Sequence, residues 1–340
     1  MMVNYYSAYQ IALLSFILTF GSMLITGNSI MAEQNKKTVQ QENQNYRLGR
    51  FSIDVPSYMH QAILSNKVFY TDIKTFAWEN KLKHIDERNN LWNERVLKIK
   101  SLTPPDDVKE IVIDTMDFSS DEYWAKGVFY HGNSISKEHA GWDVLIDNGK
   151  YGVWLKVSGD REKNNIMIKV LNIVIKSYRT STKKSDTLTT TRKKLGYYLK
   201  YGFLDMDYKE QERTYSRFEG HPLDKYLKLK IEIEAVDKVE ETNLIQRLSL
   251  SLAGNFAPGI SIDEIRSEQR EVAGLKGEEV IIRGTEEDDS NLIFSWRFPG
   301  EKDSATAPEI LIKMDSKDGD LDEKIELWDS VLNSFKPLGH

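Results

Sequence analysis

The chain has 340 residues, of which 29% are charged, with a formal net charge of −6 and no cysteine. The absence of thiols removes disulfides, thiolate nucleophiles and Cys-based zinc or iron–sulfur sites. The acidic balance argues against a nucleic-acid surface, which needs a concentrated basic face.

Residues 1–32 carry no charged side chain, and Ile11 to Ile25 form an apolar run of signal-peptide length. That run is shorter than the roughly 18 to 20 residues of a confident membrane span. The segment predicts export with cleavage after Ala32. No Lys or Arg precedes the apolar core and Ile30 is bulky, so a retained inner-membrane tether is the alternative. The expected location is periplasmic in either case. Residues 33–45 are polar and read as a flexible spacer. Residues 46–180 then form an expected N-terminal α+β domain, 181–194 a Ser-, Thr- and Lys-rich linker, and 195–340 a C-terminal α+β domain.

In the first half, Glu79 to Lys100 predicts a helix with Leu82, Ile85, Trp92, Val96 and Ile99 on one stripe. Gly141 to Ile146, the turn dipeptide Asn148-Gly149 and Tyr151 to Gly159 predict a hairpin. A helix follows, with Val170, Leu171, Val174 and Ile175 on one face. The second half has a helix signal at Thr242 to Leu252, then a hairpin from Gly277–Ile282 through the polar loop Thr285–Asn291 to Leu292–Gly300. An added strand, Glu309 to Met314, leads to a helix carrying Leu327, Trp328, Val331 and Leu332, with Asp320 and Glu323 placed as a capping box. The matched endings predict an internal duplication, the alternative being chance agreement of two common units. The fold class expected is α+β: two related domains, each an antiparallel sheet with packed helices.

Chemistry-bearing motifs are missing. There is no Gly-x-Ser-x-Gly elbow, and the nearest approach, Ser249 to Gly254, continues a helical leucine stripe. None of the six histidines stands in a His-Glu-x-x-His arrangement. The acidic run Asp315 to Glu323 lacks the calcium-loop glycine and distal Glu, since counting from Asp318 those positions hold Glu323 and Asp329. No catalytic, cofactor-binding or metal residue is assigned, and no cofactor is expected. Trp92, Trp124, Trp142, Trp154, Trp296 and Trp328 read as core. The acidic hairpin tip Glu286, Glu287, Asp288 and Asp289 is the candidate partner contact, because an acidic rim steers basic partners.

Val272-Ala-Gly-Leu-Lys-Gly-Glu-Glu-Val-Ile-Ile-Arg-Gly284, Phe294-Ser-Trp296, Gly300, Pro308 and Leu327 to Ser334 together resemble the immunity proteins that protect bacteria from the fourth family of type VI secretion lipase effectors. Residues 49–56, Gly-Arg-Phe-Ser-Ile-Asp-Val-Pro, are similar to the opening of that family's N-terminal domain. The resemblance implies a non-enzymatic periplasmic protein whose two domains form a claw that grips a phospholipase effector and blocks its active site. It implies structural roles for Gly274, Gly277, Glu278, Glu279, Gly284, Trp296, Gly300, Pro308 and Trp328. The competing expectation is an envelope-assembly or ligand-binding factor with no toxin partner. Membrane contact is expected only through a retained N-terminal segment.

Overall fold

A computed structural model describes residues 42–80, 82–180, 196–208, 211–222, 224–240, 244–246, 260–287 and 289–338. The export segment, the linker, Asp288 and most of the Thr242–Leu252 helix signal lie outside these residues.

The first half runs β1 (Asn43–Leu48), β2 (Phe51–Pro56), β3 (His60–Val68), β4 (Thr71–Ala77), α1 (His84–Lys100), β5 (Val112–Asp117), β6 (Trp124–His131), β7 (His139–Asp147), β8 (Tyr151–Asp160), α2 (Asn164–Ser177) and β9 (Tyr178–Arg179). The second runs β10 (Tyr197–Leu199), β11 (Gly202–Leu204), β12 (Arg213–Glu219), β13 (Lys228–Glu234), β14 (Ile260–Val272), β15 (Leu275–Glu286), β16 (Asp289–Phe298), β17 (Glu309–Lys317), α3 (Leu321–Ser334) and β18 (Lys336–Pro337). The protein is thus a mixed fold with a large antiparallel sheet and few helices.

Twelve strands form one sheet in the order β14-β15-β16-β17-β13-β12-β3-β4-β8-β7-β6-β5. Read outward from the central β12–β3 pair, the order is the same on both sides. β3 mirrors β12, β4 mirrors β13, and β8, β7, β6 and β5 mirror β17, β16, β15 and β14. This corrects the expected alignment of the halves, because Gly277–Ile282 lies on β15, the counterpart of β6, and the strand expected as an addition, β17, is the counterpart of β8. The packing agrees. A Cβ on Gly127 of β6 would sit 3.0 Å from Trp142 of β7, and one on Gly277 of β15 would sit 2.6 Å from Trp296 of β16. Each glycine makes room for a fully buried tryptophan on the next strand. Spacing alone aligned the wrong hairpin because all of these strands are similarly apolar.

Alternation puts Trp142, Val144 and Ile146 of β7 and Val153, Leu155 and Val157 of β8 on the face covered by α2 through Met167, Leu171, Val174 and Ile175. In the second half, Phe294, Trp296, Ile310, Ile312 and Met314 meet Leu327, Trp328, Val331 and Leu332 of α3. Both helical stripes therefore pack as their spacing predicts. The capping box does not form: Asp320 occupies the N-cap position in the left-handed region, at φ 49°, and its side chain makes no capping bond. That backbone directs the carboxylate away from the first-turn amides, and the helix starts instead with Lys324 N donating to the Asp320 carbonyl at 3.0 Å.

Two hairpins lie outside the large sheet. β18 joins the β1–β2 hairpin by pairing with β2, and β9 joins the β10–β11 hairpin by pairing with β11. β1 begins at Asn43, inside the expected spacer, because backbone pairing with β2 holds its polar residues without apolar side chains. Leu48, Phe51, Ile53, Val55 and Met59 join the core of the second half, whereas Tyr197, Leu199 and Leu204 join that of the first. The two cores therefore do not divide the chain at residues 181–194. The five side chains from residues 48–59 are essentially fully buried. At about 1.5–3 kcal/mol each, they supply an amount comparable with the net stability of a whole domain, about 5–15 kcal/mol.

Candidate interaction surface

The family-like stretch forms a hairpin whose chemistry is visible residue by residue. Ala273 and Gly274 make the two-residue β14–β15 turn at φ 56° and 79°, the doubly positive geometry that glycine favours. Gly300, at φ 85°, lets the chain pass where a Cβ would lie 2.6 Å from the Glu309 amide, immediately after Pro308. Gly284 meets nothing within 4 Å, and no packing need explains it. The indole of Trp296 donates to the Arg270 carbonyl at 3.0 Å. Glu278 accepts from Gln269 at 2.9 Å and from the Ile245 amide at 3.3 Å.

Glu279 is completely buried and is the hub of this region. Arg270 donates to it at 2.8 Å and Arg266 at 3.3 Å, and the indole of Trp328 donates to it as well. Asp329 accepts from the same Nη1 atoms of both guanidiniums, so the two carboxylates share them. Burial opposes the charge on Arg266, but Glu279 and Asp329 more than offset that cost and raise its pKa. The cluster fixes α3 against β14 and β15. Its role is to hold structure rather than to bind a ligand.

The acidic tip is a tight turn between β15 and β16, with Glu286 opposite Asp289 and Glu287 at φ 53°. The strands run farther than expected, so the tip is compact. Lys317 reaches both carboxylate oxygens of Asp289 at 2.6 Å, and Arg283 pairs with Asp318 at 2.9 Å nearby. Part of the negative charge is therefore already neutralised within the chain.

The opposite face of the sheet carries α1, which departs most from its sequence signal. It begins at His84 rather than Glu79, because the Glu79 and Asn80 amides are held by the Glu87 carboxylate at 3.0 and 2.7 Å. Only Ile99 of the expected stripe is buried, and Leu82 and Ile85 are 95% and 51% exposed. Ion pairs dock the helix instead. Arg95 donates to Asp143 at 2.6 Å, and Arg88 and His84 lie 3.4 and 3.6 Å from Asp147. Asp143 and Asp147 are buried on the same face of β7, and they also accept from Tyr130 at 3.2 Å and from the Trp78 indole at 3.0 Å. Burial, followed by the Asp143 charge, pushes the Tyr130 phenol up to about 12.

Three of the tryptophans expected in the core, Trp92 on this helix and Trp124 and Trp154 on β6 and β8, are only half-buried. Trp92 stacks on Trp154 at 6.4 Å and meets Trp124 edge-on at 6.2 Å, and the Arg88 guanidinium lies 4.4 Å from the Trp124 ring centre. They fill the gap between helix and sheet, and their edges reach the surface. Trp142, Trp296 and Trp328 are core, as expected. Among the described residues, no group of three or more His, Asp or Glu side chains could hold a metal ion.

The model of the Tle cognate immunity protein 4 C-terminal domain matches residues 192–337. That segment is similar to the C-terminal domain of these immunity proteins. No curated protein matches the chain. The fold is similar to the apo immunity protein TplEi of the T6SS from Pseudomonas aeruginosa, at 14% identity and TM-score 0.69, over 88% of this chain and 99% of that one. It is also similar to a chain in the Tle4–Tli4 complex, at 15% identity and TM-score 0.69, over 87% and 97%. TplEi complexed with an "L" peptide gives TM-score 0.63 at 15% identity, over 88% and 99%.

The Tli4 C-terminal match spans every structural motif residue from Gly274 to Trp328, and it includes the acidic tip. It leaves out the N-terminal hairpin that completes the core of this same half. It also leaves out the α1 surface with its tryptophans, which residue type alone would place in the interior. The signal that could have found that surface is the charge on α1: Arg88 and Arg95 lie seven apart on one face of the helix, and Asp143 and Asp147 lie four apart on β7.

Proposed function

We propose that this protein is an exported immunity protein that binds a phospholipase effector of the type VI secretion system in the periplasm and neutralises it by covering its active site. The observation that carries this reading is the match of residues 192–337 to the Tle cognate immunity protein 4 C-terminal domain. The shared fold with a chain of the Tle4–Tli4 complex supports it. Residues 1–32 serve as the export signal, and among the described residues no helix is long and apolar enough to cross a membrane.

The two halves act as the arms of a claw. A partner gripped by both gains the effective concentration of a bivalent contact, provided the spacing of the arms fits it. A preformed surface loses little entropy on binding, and inhibitors of this kind depend on slow dissociation. Glu286 and Glu287 are the carboxylates of the acidic tip that steer a basic region of the effector; Asp288 and Asp289 complete that run in sequence.

The test is co-purification of the mature chain with the lipase encoded beside it, followed by a phospholipid hydrolysis assay. Stoichiometric binding with loss of hydrolysis supports the proposal. Absence of binding overturns it and favours an envelope factor without a toxin partner. Binding with full hydrolysis would overturn the active-site part alone.

A further inference from the structure

The hairpin that precedes each half in sequence closes the other half in space. β1–β2 leads into β3, yet β2 pairs with β18 through Ser52↔Lys336 and Phe51↔Pro337. Phe51 stacks on Phe335 at 5.1 Å, the Leu338 amide donates to the Arg50 carbonyl at 2.9 Å, and the Asp54 amide donates to Ser334 Oγ at 2.9 Å across 280 positions. β10–β11 leads into β12, yet β11 pairs with β9 through Leu204↔Tyr178 and Phe203↔Arg179.

The two hairpins meet at the centre of the molecule. Gly49 and Tyr198 exchange backbone hydrogen bonds of 3.2 and 2.7 Å. Gly49 has φ 60°, and a Cβ there would lie 2.7 Å from Thr214 Oγ1, so the approach requires glycine. Beside it the buried Arg50 guanidinium makes two bonds of 2.7 Å to Glu212, just ahead of β12. Tyr197 bonds Thr214 at 2.6 Å and Asn66 at 3.2 Å. A buried bidentate pair tolerates little error in geometry, because a displaced partner leaves an uncompensated charge. The crossing point therefore fixes one register for the exchange.

We infer that the second half of the molecule carries a binding site for a β-hairpin, made by β18, α3 and the inner faces of β12, β13 and β17, and that its ligand is the chain's own N-terminal hairpin, residues 42–59. Residues 60–206 contain every buried residue of the first core in one continuous stretch. The second core lacks that self-sufficiency. The segment 192–337 gives up β10–β11 to the first half and completes its own core only when residues 42–59 dock. Closing this contact joins opposite ends of the chain, a non-local step that carries the larger loop-closure cost and comes late in folding. The exchange then adds to the grip that the β12–β3 pairing already gives the halves, since each is held shut by a segment covalently tied to the other.

Native-state hydrogen exchange of the full chain, read by mass spectrometry in rising urea, tests this directly. Peptides covering residues 43–56 should open together with those of α3 and β12–β18, and peptides covering 197–204 together with α2 and β5–β8. Opening of 43–56 with β3–β8, or a single opening of the whole molecule, would overturn the inference. The variant Phe51→Ala gives a second reading. It should speed exchange in α3 and β12–β18 at least tenfold while leaving β5–β8 within threefold of the parent, and comparable loss in β5–β8 would overturn the idea. Should Phe51→Ala fail to fold, Phe51→Leu gives the same comparison at a smaller perturbation.

Discussion

Replacing Glu279 with Gln removes one charge from the middle of the α3 attachment while keeping an oxygen that can accept from the Trp328 indole. Arg266 and Arg270 then share only Asp329, and the new amide N–H₂ points at one of them. Breaking a fully buried ion pair costs about 3–5 kcal/mol. Here the guanidiniums are 27% and 15% exposed, so water relieves part of the loss, and we expect about 2–3 kcal/mol. At roughly 2 °C per kcal/mol for a domain of this size, the melting temperature should fall by about 4–6 °C. Far-UV circular dichroism during thermal and urea unfolding measures the change, with Asp329→Asn as the comparison. That carboxylate is 34% exposed, and its loss should cost about 1 kcal/mol. A Glu279→Gln variant within about 0.5 kcal/mol of the parent, the range of an ordinary surface substitution, would refute the view that this carboxylate anchors the helix electrostatically.

Gly277→Ala should destabilise by about 1–3 kcal/mol through overpacking, since its Cβ would lie 2.6 Å from Trp296 and 2.7 Å from the Arg297 carbonyl. Gly284→Ala, with nothing within 4 Å, should stay within about 0.5 kcal/mol, and thermal melts of the pair separate the two roles. Arg95→Met should leave global unfolding nearly unchanged but raise amide exchange across α1, because the helix is held by ion pairs and buries only Ile99. His131 and His221 both have pKa values lowered mainly by burial. The unfolded chain binds their protons first, so stability should decline as pH falls below about 6.5, the ordinary histidine value. Urea midpoints at pH 7.5 and 5.5 measure that decline, and the double variant His131→Gln/His221→Gln should reduce it. Unchanged pH dependence in the variant would count against the assignment.

Much of both halves was legible in the linear sequence. The apolar spacing of α2 and α3, the hairpin at Asn148-Gly149 and the turn glycine Gly274 express local rules that the structure follows, whereas Gly277 and Gly300 answer to contacts with other strands and Gly284 to no contact. The acidic tip was legible as a tip, but its pairing with Lys317 was not, because the lysine comes from β17. α1 looked like an ordinary amphipathic helix, and its stripe gave no warning that buried aspartates on β7 would hold it and leave Leu82 and Ile85 in water. Three tryptophans were assigned to the core by residue type, although a helix docked by charge leaves their edges exposed.

The sequence by itself determined the mixed class of fold, the core faces of α2 and α3, the strand-rich halves and the resemblance of residues 192–337 to an immunity-protein family. Each of these depends on periodicity, turn chemistry or motif spacing within a few tens of residues. Tertiary structure alone decided that the twelve strands join into one sheet with mirrored order, that β7–β8 corresponds to β16–β17, and that each leading hairpin closes the opposite half. Those choices rest on contacts between residues up to 280 positions apart. Similar apolar strands can satisfy local rules in several pairings, and only the shared cores and the buried Arg50–Glu212 pair select one.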